Sequence, residues 1–258
     1  MGIRLWILLS ICSIRAAGQD NALQPFDADT IFRPVTTIVK YAIGERMLPI
    51  EIMQFGQPNG LVCINVHDNE EASVKAAEAV LTKTGGTLIK FDNKRQRNIK
   101  FTLNKRTYEF DPNRIFSQEG ILQTLQDNKK VTPGVVSEIE AFARNTLCLL
   151  PDSISCIIAL HNNSEGAFSI NSYMAGGSRE QDAKTVYSNE LEDADDIVLT
   201  TDSLLYAGMV KAGYNSILQD NINARKDGSL SIHFGELGKR YINIETQAGK
   251  LNSIKRCL

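Results

Sequence analysis

Two apolar runs, each stopping at a histidine, constrain this chain more than any other feature. Gly60-Leu61-Val62-Cys63-Ile64-Asn65-Val66 ends at His67, with Glu70 three residues later. Ser153 to Leu160 ends in the same way at His161. Apolar, β-branched runs bounded by turn residues read as strands buried on both faces, the pattern of a mostly parallel sheet. In open α/β sheets ligands bind just beyond the carboxyl ends of such strands. Both histidines are therefore expected at the functional end of one sheet.

The rest of the chain fits an α/β fold with a mixed, mostly parallel central sheet flanked by helices. Residues 36 to 56 suggest a hairpin on the sheet edge, turning at Ala42-Ile43-Gly44-Glu45. Glu71 to Thr84 places Ala72, Ala76, Ala79 and Val80 at helical spacing and stops at Gly85-Gly86; Thr87 to Phe91 then completes a βαβ unit. Residues 92 to 107 are rich in Lys, Arg and Asn and read as an exposed loop. A helix is expected from Pro133 to Leu149, with Val135, Val136, Ile139, Phe142 and Ala143 on one face. Glu190 to Asp196 reads as a solvated loop, Ile197 to Thr200 as a strand, and Asp202 as the cap of a helix reaching Ala212. Residues 215 to 219 suggest a short strand. Asp227-Gly228 reads as a hairpin turn before a strand at Ser229 to Phe234, and Tyr241 to Ile244 as a last strand ending at Glu245.

With 258 residues and neither repeat nor low-complexity linker, one domain over residues 19–258 is the simplest organisation. The net charge of −2 argues against duplex nucleic acid as a partner. Arg4, the apolar run Leu5 to Ile14 and Ala16-Ala17-Gly18 have the order of a secretory signal, so residues 1–18 are expected to direct export. No later segment is apolar for long enough to span a membrane. Of the five cysteines none forms a CxxC pair, which argues against a thiolate zinc site; Cys63 and Cys156 lie in strand-like runs and read as core.

Polar residues then gather at strand ends: His67 and Glu70, Arg114, His161 and Glu245. Two neutral imidazoles and a carboxylate are a common ligand set for catalytic Zn2+, with a place left for water. Glu245 would be a second carboxylate, free to carry a proton from water to a leaving amine. Either histidine, taken alone, is more readily explained by a structural hydrogen bond, but two of only three histidines end strong apolar strands, which favours a site. His233 alternates with Ile232 and Phe234 on the expected hairpin and reads as structural. Asn113 and Arg114 place an amide beside a guanidinium, which suits capture of a substrate carboxylate. Arg106 is either a second cation for an oxyanion or a solvated member of a basic loop. The cluster Lys94, Arg95, Arg97, Lys100 lacks aromatic neighbours and reads as solvated surface.

In this order, His67-Asp68-Asn69-Glu70, Asp111-Pro112-Asn113-Arg114, His161 and Glu245 resemble the zinc carboxypeptidase superfamily. That superfamily comprises the metallocarboxypeptidases together with the succinylglutamate desuccinylase and aspartoacylase branch, and the likeness extends over roughly residues 60 to 249. The stretch from Arg106 to Phe116 is similar to the second branch. The resemblance implies zinc held by His67, Glu70 and His161, a substrate carboxylate held by Asn113 and Arg114, Glu245 as general base and acid, and Arg106 polarising the scissile carbonyl. Asp68 stands where the family often has glycine or alanine. A substrate-capping tyrosine would be Tyr173, Tyr187, Tyr206 or Tyr214. The resulting expectation is an exported zinc-dependent hydrolase of an amide beside a free carboxylate, with a peptide or cell-wall stem peptide as substrate. An N-acyl amino acid deacylase and a non-catalytic carboxylate-binding domain of the same fold are the alternatives.

Overall fold

A computed structural model describes residues 31–126, 131–151, 153–163 and 168–247. The expected signal segment, Cys12 and Cys257 lie outside them. The described chain builds one nine-stranded sheet and a separate two-stranded hairpin. β1 (Pro34–Ile43) and β2 (Arg46–Phe55) form the edge hairpin, turning at Gly44 with φ near 54°. β3 (Leu61–Asn65), α1 (Glu71–Thr84) and β4 (Gly86–Phe91) follow as a parallel βαβ unit. β7 (Cys156–Asn163) pairs with the other side of β3, and β11 (Tyr241–Gln247) with β7, both in parallel. The four parallel strands β4, β3, β7 and β11 thus form the middle of the sheet. Its far margin is β9 (Ile197–Thr200), β10 (Asn215–Gln219) and β8 (Ala183–Tyr187).

Burial on both faces explains the apolar runs. Every residue of β3 is buried. Leu61 and Cys63 face a core completed by Val74, Ala77, Val80 and Leu81 of α1 and by Leu205 and Met209 of α4 (Ser203–Ala212). Val62 and Ile64 face the opposite core, filled by Val135, Ile139 and Phe142 of α3 (Pro133–Leu147). The periodic face read from the sequence of α3 is the buried one. α4 begins as expected: the Asp202 carboxylate accepts from the Leu204 and Leu205 amides, and Gly213 ends the helix in the left-handed region.

Two sequence expectations are corrected. Residues 92 to 107 are not all loop. β5 (Ile99–Leu103) and β6 (Arg106–Phe110) make a hairpin whose apolar side, Ile99, Phe101, Tyr108 and Phe110, joins the α3 core. Its turn, Asn104-Lys105, holds both residues at positive φ without a glycine, which hides it among the charged residues. Residues 230–236 are helix α5 (Leu230–Glu236), not a strand. Leu230 and Phe234, one turn apart, enter the core beside Tyr241, while His233 packs its ring near Phe116. The alternation of apolar residues is real, but Asn113 accepts the Leu230 amide through its side-chain oxygen and ties the first helical turn down.

A glycine contact sets the position of this region. Gly120, in α2 (Gln118–Thr124), and Gly228 meet face to face. A Cβ on Gly228, at φ near 73°, would stand 2.6 Å from the Arg114 carbonyl and 2.7 Å from the Gly120 Cα. Farther along, Asp182 accepts from the Arg225 backbone amide at 3.0 Å and from its guanidinium at 2.7 Å, pinning residues 180–187 to 220–225. Burial works against the Asp182 charge, but the Arg225 hydrogen bonds and charge, aided by Arg179, outweigh it and lower its pKa.

Replacing Gly228 by Ala is expected to cost roughly 1–3 kcal/mol from backbone strain alone, read as a lower denaturant midpoint. An unchanged midpoint would contradict the contact. The depressed Asp182 pKa has a defined sign: its stabilisation is present above the ordinary Asp value near 4 and disappears as pH falls through the lower folded value. The stability gap between wild type and Asp182→Asn should be widest near neutral pH and narrow on acidification below about pH 4. A gap that widens in acid would overturn the assignment.

Candidate metal centre

The site lies where the strand order reverses. From β3 the chain steps to β4 on one side and later returns to β7 on the other, and this switch opens a crevice at the carboxyl ends. His67 lies two residues after the end of β3, and a turn closed by the Glu70 amide donating to the His67 carbonyl at 3.0 Å brings their side chains together. Glu70 occupies the cap position of α1 without capping it. Its carboxylate points into the site, and the Ser73 hydroxyl donates to the Glu70 carbonyl instead. His161 arrives from β7, buried like the other two.

Among the described residues, His67, Glu70 and His161 form the one group able to offer three ligand atoms to a single ion. His67 Nδ1 lies 3.2 Å from His161 Nδ1 and 3.2 Å from Glu70 Oε1, and His161 Nδ1 lies 3.0 Å from Glu70 Oε2. Ligands bound tetrahedrally at zinc–nitrogen and zinc–oxygen lengths stand about 3.3 Å apart, so the spacing fits. The tautomer fits as well. His67 Nε2 is 2.8 Å from Asp111 Oδ1, and a proton held there leaves Nδ1 as a lone pair facing the second imidazole. Two ring nitrogens and a carboxylate this close need a shared proton or a cation between them.

The charges are arranged to match. Burial alone would raise the Glu70 pKa, but His161 and His67 outweigh it and bring it down to about 2. Asp111 is also lowered, its burial overcome by His67, Arg114 and Arg97. Burial disfavours the charged form of His161, yet Glu70 and Glu245 hold its pKa above the ordinary range.

Glu245 stands beside His161 as its register partner on β11, and its Oε1 accepts from Asn243 Nδ2 at 3.1 Å. A cleft of about 290 Å3 has walls that include Arg114, Arg179, Arg225 and Lys226 against Asp227 and Glu119. Arg114 is 3.7 Å from Asp227 and Arg179 is 4.0 Å from it, so the cleft keeps an excess of positive charge. Asn113 flanks Arg114, with its side-chain oxygen taken by Leu230. Buried Tyr173 has its pKa raised by burial and by Glu245, Asp182 and Asp227 against Arg179, so its hydroxyl stays protonated. Of the four candidate tyrosines it is the one held among these charges, whereas Tyr214 packs in the α1–α4 core.

Arg106 is not brought to this group. It is exposed at the tip of the β5–β6 hairpin, and five strand residues at about 3.3 Å each put its backbone ~16 Å from Asp111. A residue read as solvated surface takes the place instead: Arg97 donates to Glu70 Oε1 at 2.7 Å and reaches Asp111 Oδ2 at 3.5 Å. No periodicity marks Arg97, since the loop that carries it is folded by side-chain hydrogen bonds.

No family model matches the sequence, and no curated protein matches it either. Among solved structures, an aspartoacylase family protein from Mesorhizobium loti is similar over 91% of this chain and 68% of its own, at 15% identity and a TM-score of 0.44. The LapA aminopeptidase of Legionella pneumophila is similar over 99% of this chain and 67% of its own, at 10% identity and a TM-score of 0.36.

Proposed function

We propose that this protein is a zinc-dependent hydrolase that cleaves an amide bond beside a free carboxylate. The observation that carries the proposal is the meeting of His67 Nδ1, His161 Nδ1 and the Glu70 carboxylate within one ion's reach, with Glu245 in register beside His161. In this reading His67, Glu70 and His161 hold Zn2+, which supplies Lewis acidity at the carbonyl and lowers the pKa of water. Asp111 keeps the proton on His67 Nε2, so that Nδ1 remains a ligand. Glu245 takes a proton from the attacking water and returns it to the departing nitrogen. Asn243 donates to the Glu245 carboxylate and restrains it.

The cleft supports the position of the carboxylate. Arg114 presents a guanidinium with Asn113 beside it, and Arg179 adds a second cation across Asp227. Tyr173, kept protonated among these charges, is a hydrogen-bond donor available to the substrate in this reading. Peptides with a free C-terminus and N-acyl amino acids share this pattern of scissile amide and nearby carboxylate, with a peptide as our first reading. No step falls to Arg106. Export belongs to the same proposal and rests on the order of basic, apolar and small residues across residues 4–18.

Glu245→Gln is nearly isosteric and stands outside the proposed ligand set. It should retain bound metal while kcat on a responsive peptide or N-acyl amino acid falls by about 10²–10⁴-fold. Turnover unchanged in this variant would remove Glu245 from the chemistry. Arg114→Ala should chiefly raise KM for carboxylated substrates, and an equal effect on a substrate amidated at that carboxylate would contradict the anchor.

A further inference from the structure

Arg97 is half exposed, yet it is bound to two carboxylates that lie deep in the site. Its guanidinium donates to Glu70 Oε1 at 2.7 Å and stands 3.5 Å from Asp111 Oδ2. The remaining oxygen of each carboxylate faces a histidine. Glu70 Oε2 is 3.0 Å from His161 Nδ1, and Asp111 Oδ1 is 2.8 Å from His67 Nε2. Glu70 Oε1 is also 3.2 Å from His67 Nδ1. One planar fork therefore joins both carboxylates that orient the imidazole pair, which suits arginine geometry better than a point charge.

The loop from residue 92 to 98 is built to hold that fork in place. Asp68 Oδ2 accepts from the Asn93 and Arg95 amides at 2.7 Å each, tying the loop to the residue that follows His67. Fully buried Asn93 donates to the Gln96 and Asn98 carbonyls and accepts from Arg46 at 2.8 Å. Lys94 and Arg95 are held at φ near 55° and 58°, a left-handed pair that non-glycine residues adopt only when their surroundings enforce it. Arg95 itself turns away to an exposed pair with Glu71.

We infer that Arg97 is a positioning residue of the metal centre, clamping Glu70 and Asp111 so that both histidines present Nδ1 to the ion. The inference rests on the metal reading above, and it adds a residue on a separate loop to the ligand shell. Groups that orient metal ligands typically contribute about 10–100-fold to metal affinity.

The test is Zn2+ affinity of the full chain, measured by competition with a chromophoric chelator. The proteins are wild type, Arg97→Met, Arg97→Lys and Arg95→Met, each checked for folding by far-ultraviolet circular dichroism. Arg97→Met should bind Zn2+ about 10–100-fold more weakly. Arg97→Lys, which keeps the charge without the fork, should fall between it and wild type, and Arg95→Met should match wild type. The visible absorption of the Co2+ form should change in Arg97→Met as the carboxylate ligand is freed. Wild type that binds Zn2+ with Arg97→Met equally tight or tighter would overturn the clamp alone; the lysine variant decides in the same way if the methionine variant does not fold. Wild type that binds neither ion would overturn the metal reading, and the clamp with it.

Discussion

The parallel pairing of β3 with β7 is the constraint on which the site depends. Leu61 to Ile64 align with Cys156 to Ala159, so the two strands leave the sheet at the same end. His67 follows the first strand and His161 lies at the end of the second. Burial on both faces enforces this register, because a slip by one residue would exchange the sides occupied by Val62 and Cys63. β11 pairs with β7 under the same rule and sets Glu245 beside His161. The approach of the two histidines and of the Glu245 carboxylate thus follows from strand pairing, and Glu70 is added by the turn after His67.

Loops then settle the electrostatics. The His67–Glu70 turn makes one short segment deliver two of the three groups. The short turn after β6 places Asp111 against His67 and, three residues later, Arg114 on the wall of the cleft. Gly120 and Gly228 let the segments around that cleft approach closely, and Asn113 fastens α5 to it. The result is a graded field, with buried carboxylates around the imidazoles and an excess of guanidinium groups farther out.

The parts legible in the sequence are those governed by burial. The β3 run, the α3 face and the Asp202 cap each carry a local pattern with one physical meaning, and the structure places them as read; α1 forms over the expected residues but buries Ser73, Val74, Ala76, Ala77, Val80 and Leu81 with Ala79 exposed, and β7 starts at Cys156 and continues through His161 to Asn163. The grouping of His67, Glu70 and His161 was legible because strand ends in a parallel sheet share an edge of the fold. Where tertiary contacts decide, the sequence misleads. The alternation in residues 230–234 reads as a strand, but a single hydrogen bond from Leu230 to Asn113 and core packing make it helical. The charged stretch around Arg97 conceals a hairpin with a regular two-residue apolar period, and Arg97, which no periodicity marks, is the residue of that stretch that hydrogen-bonds Glu70. Arg106 is placed by the same pairing: once β5 and β6 pair, it stands at the hairpin tip.

The most direct test of the central claim is metal stoichiometry, by elemental analysis of purified protein equilibrated with Zn2+ and then dialysed. The account predicts about one zinc per chain in the wild type and its loss in a folded His67→Ala, His161→Ala double variant. A well-folded wild type that retains no zinc, or a double variant that retains as much as wild type, would contradict it.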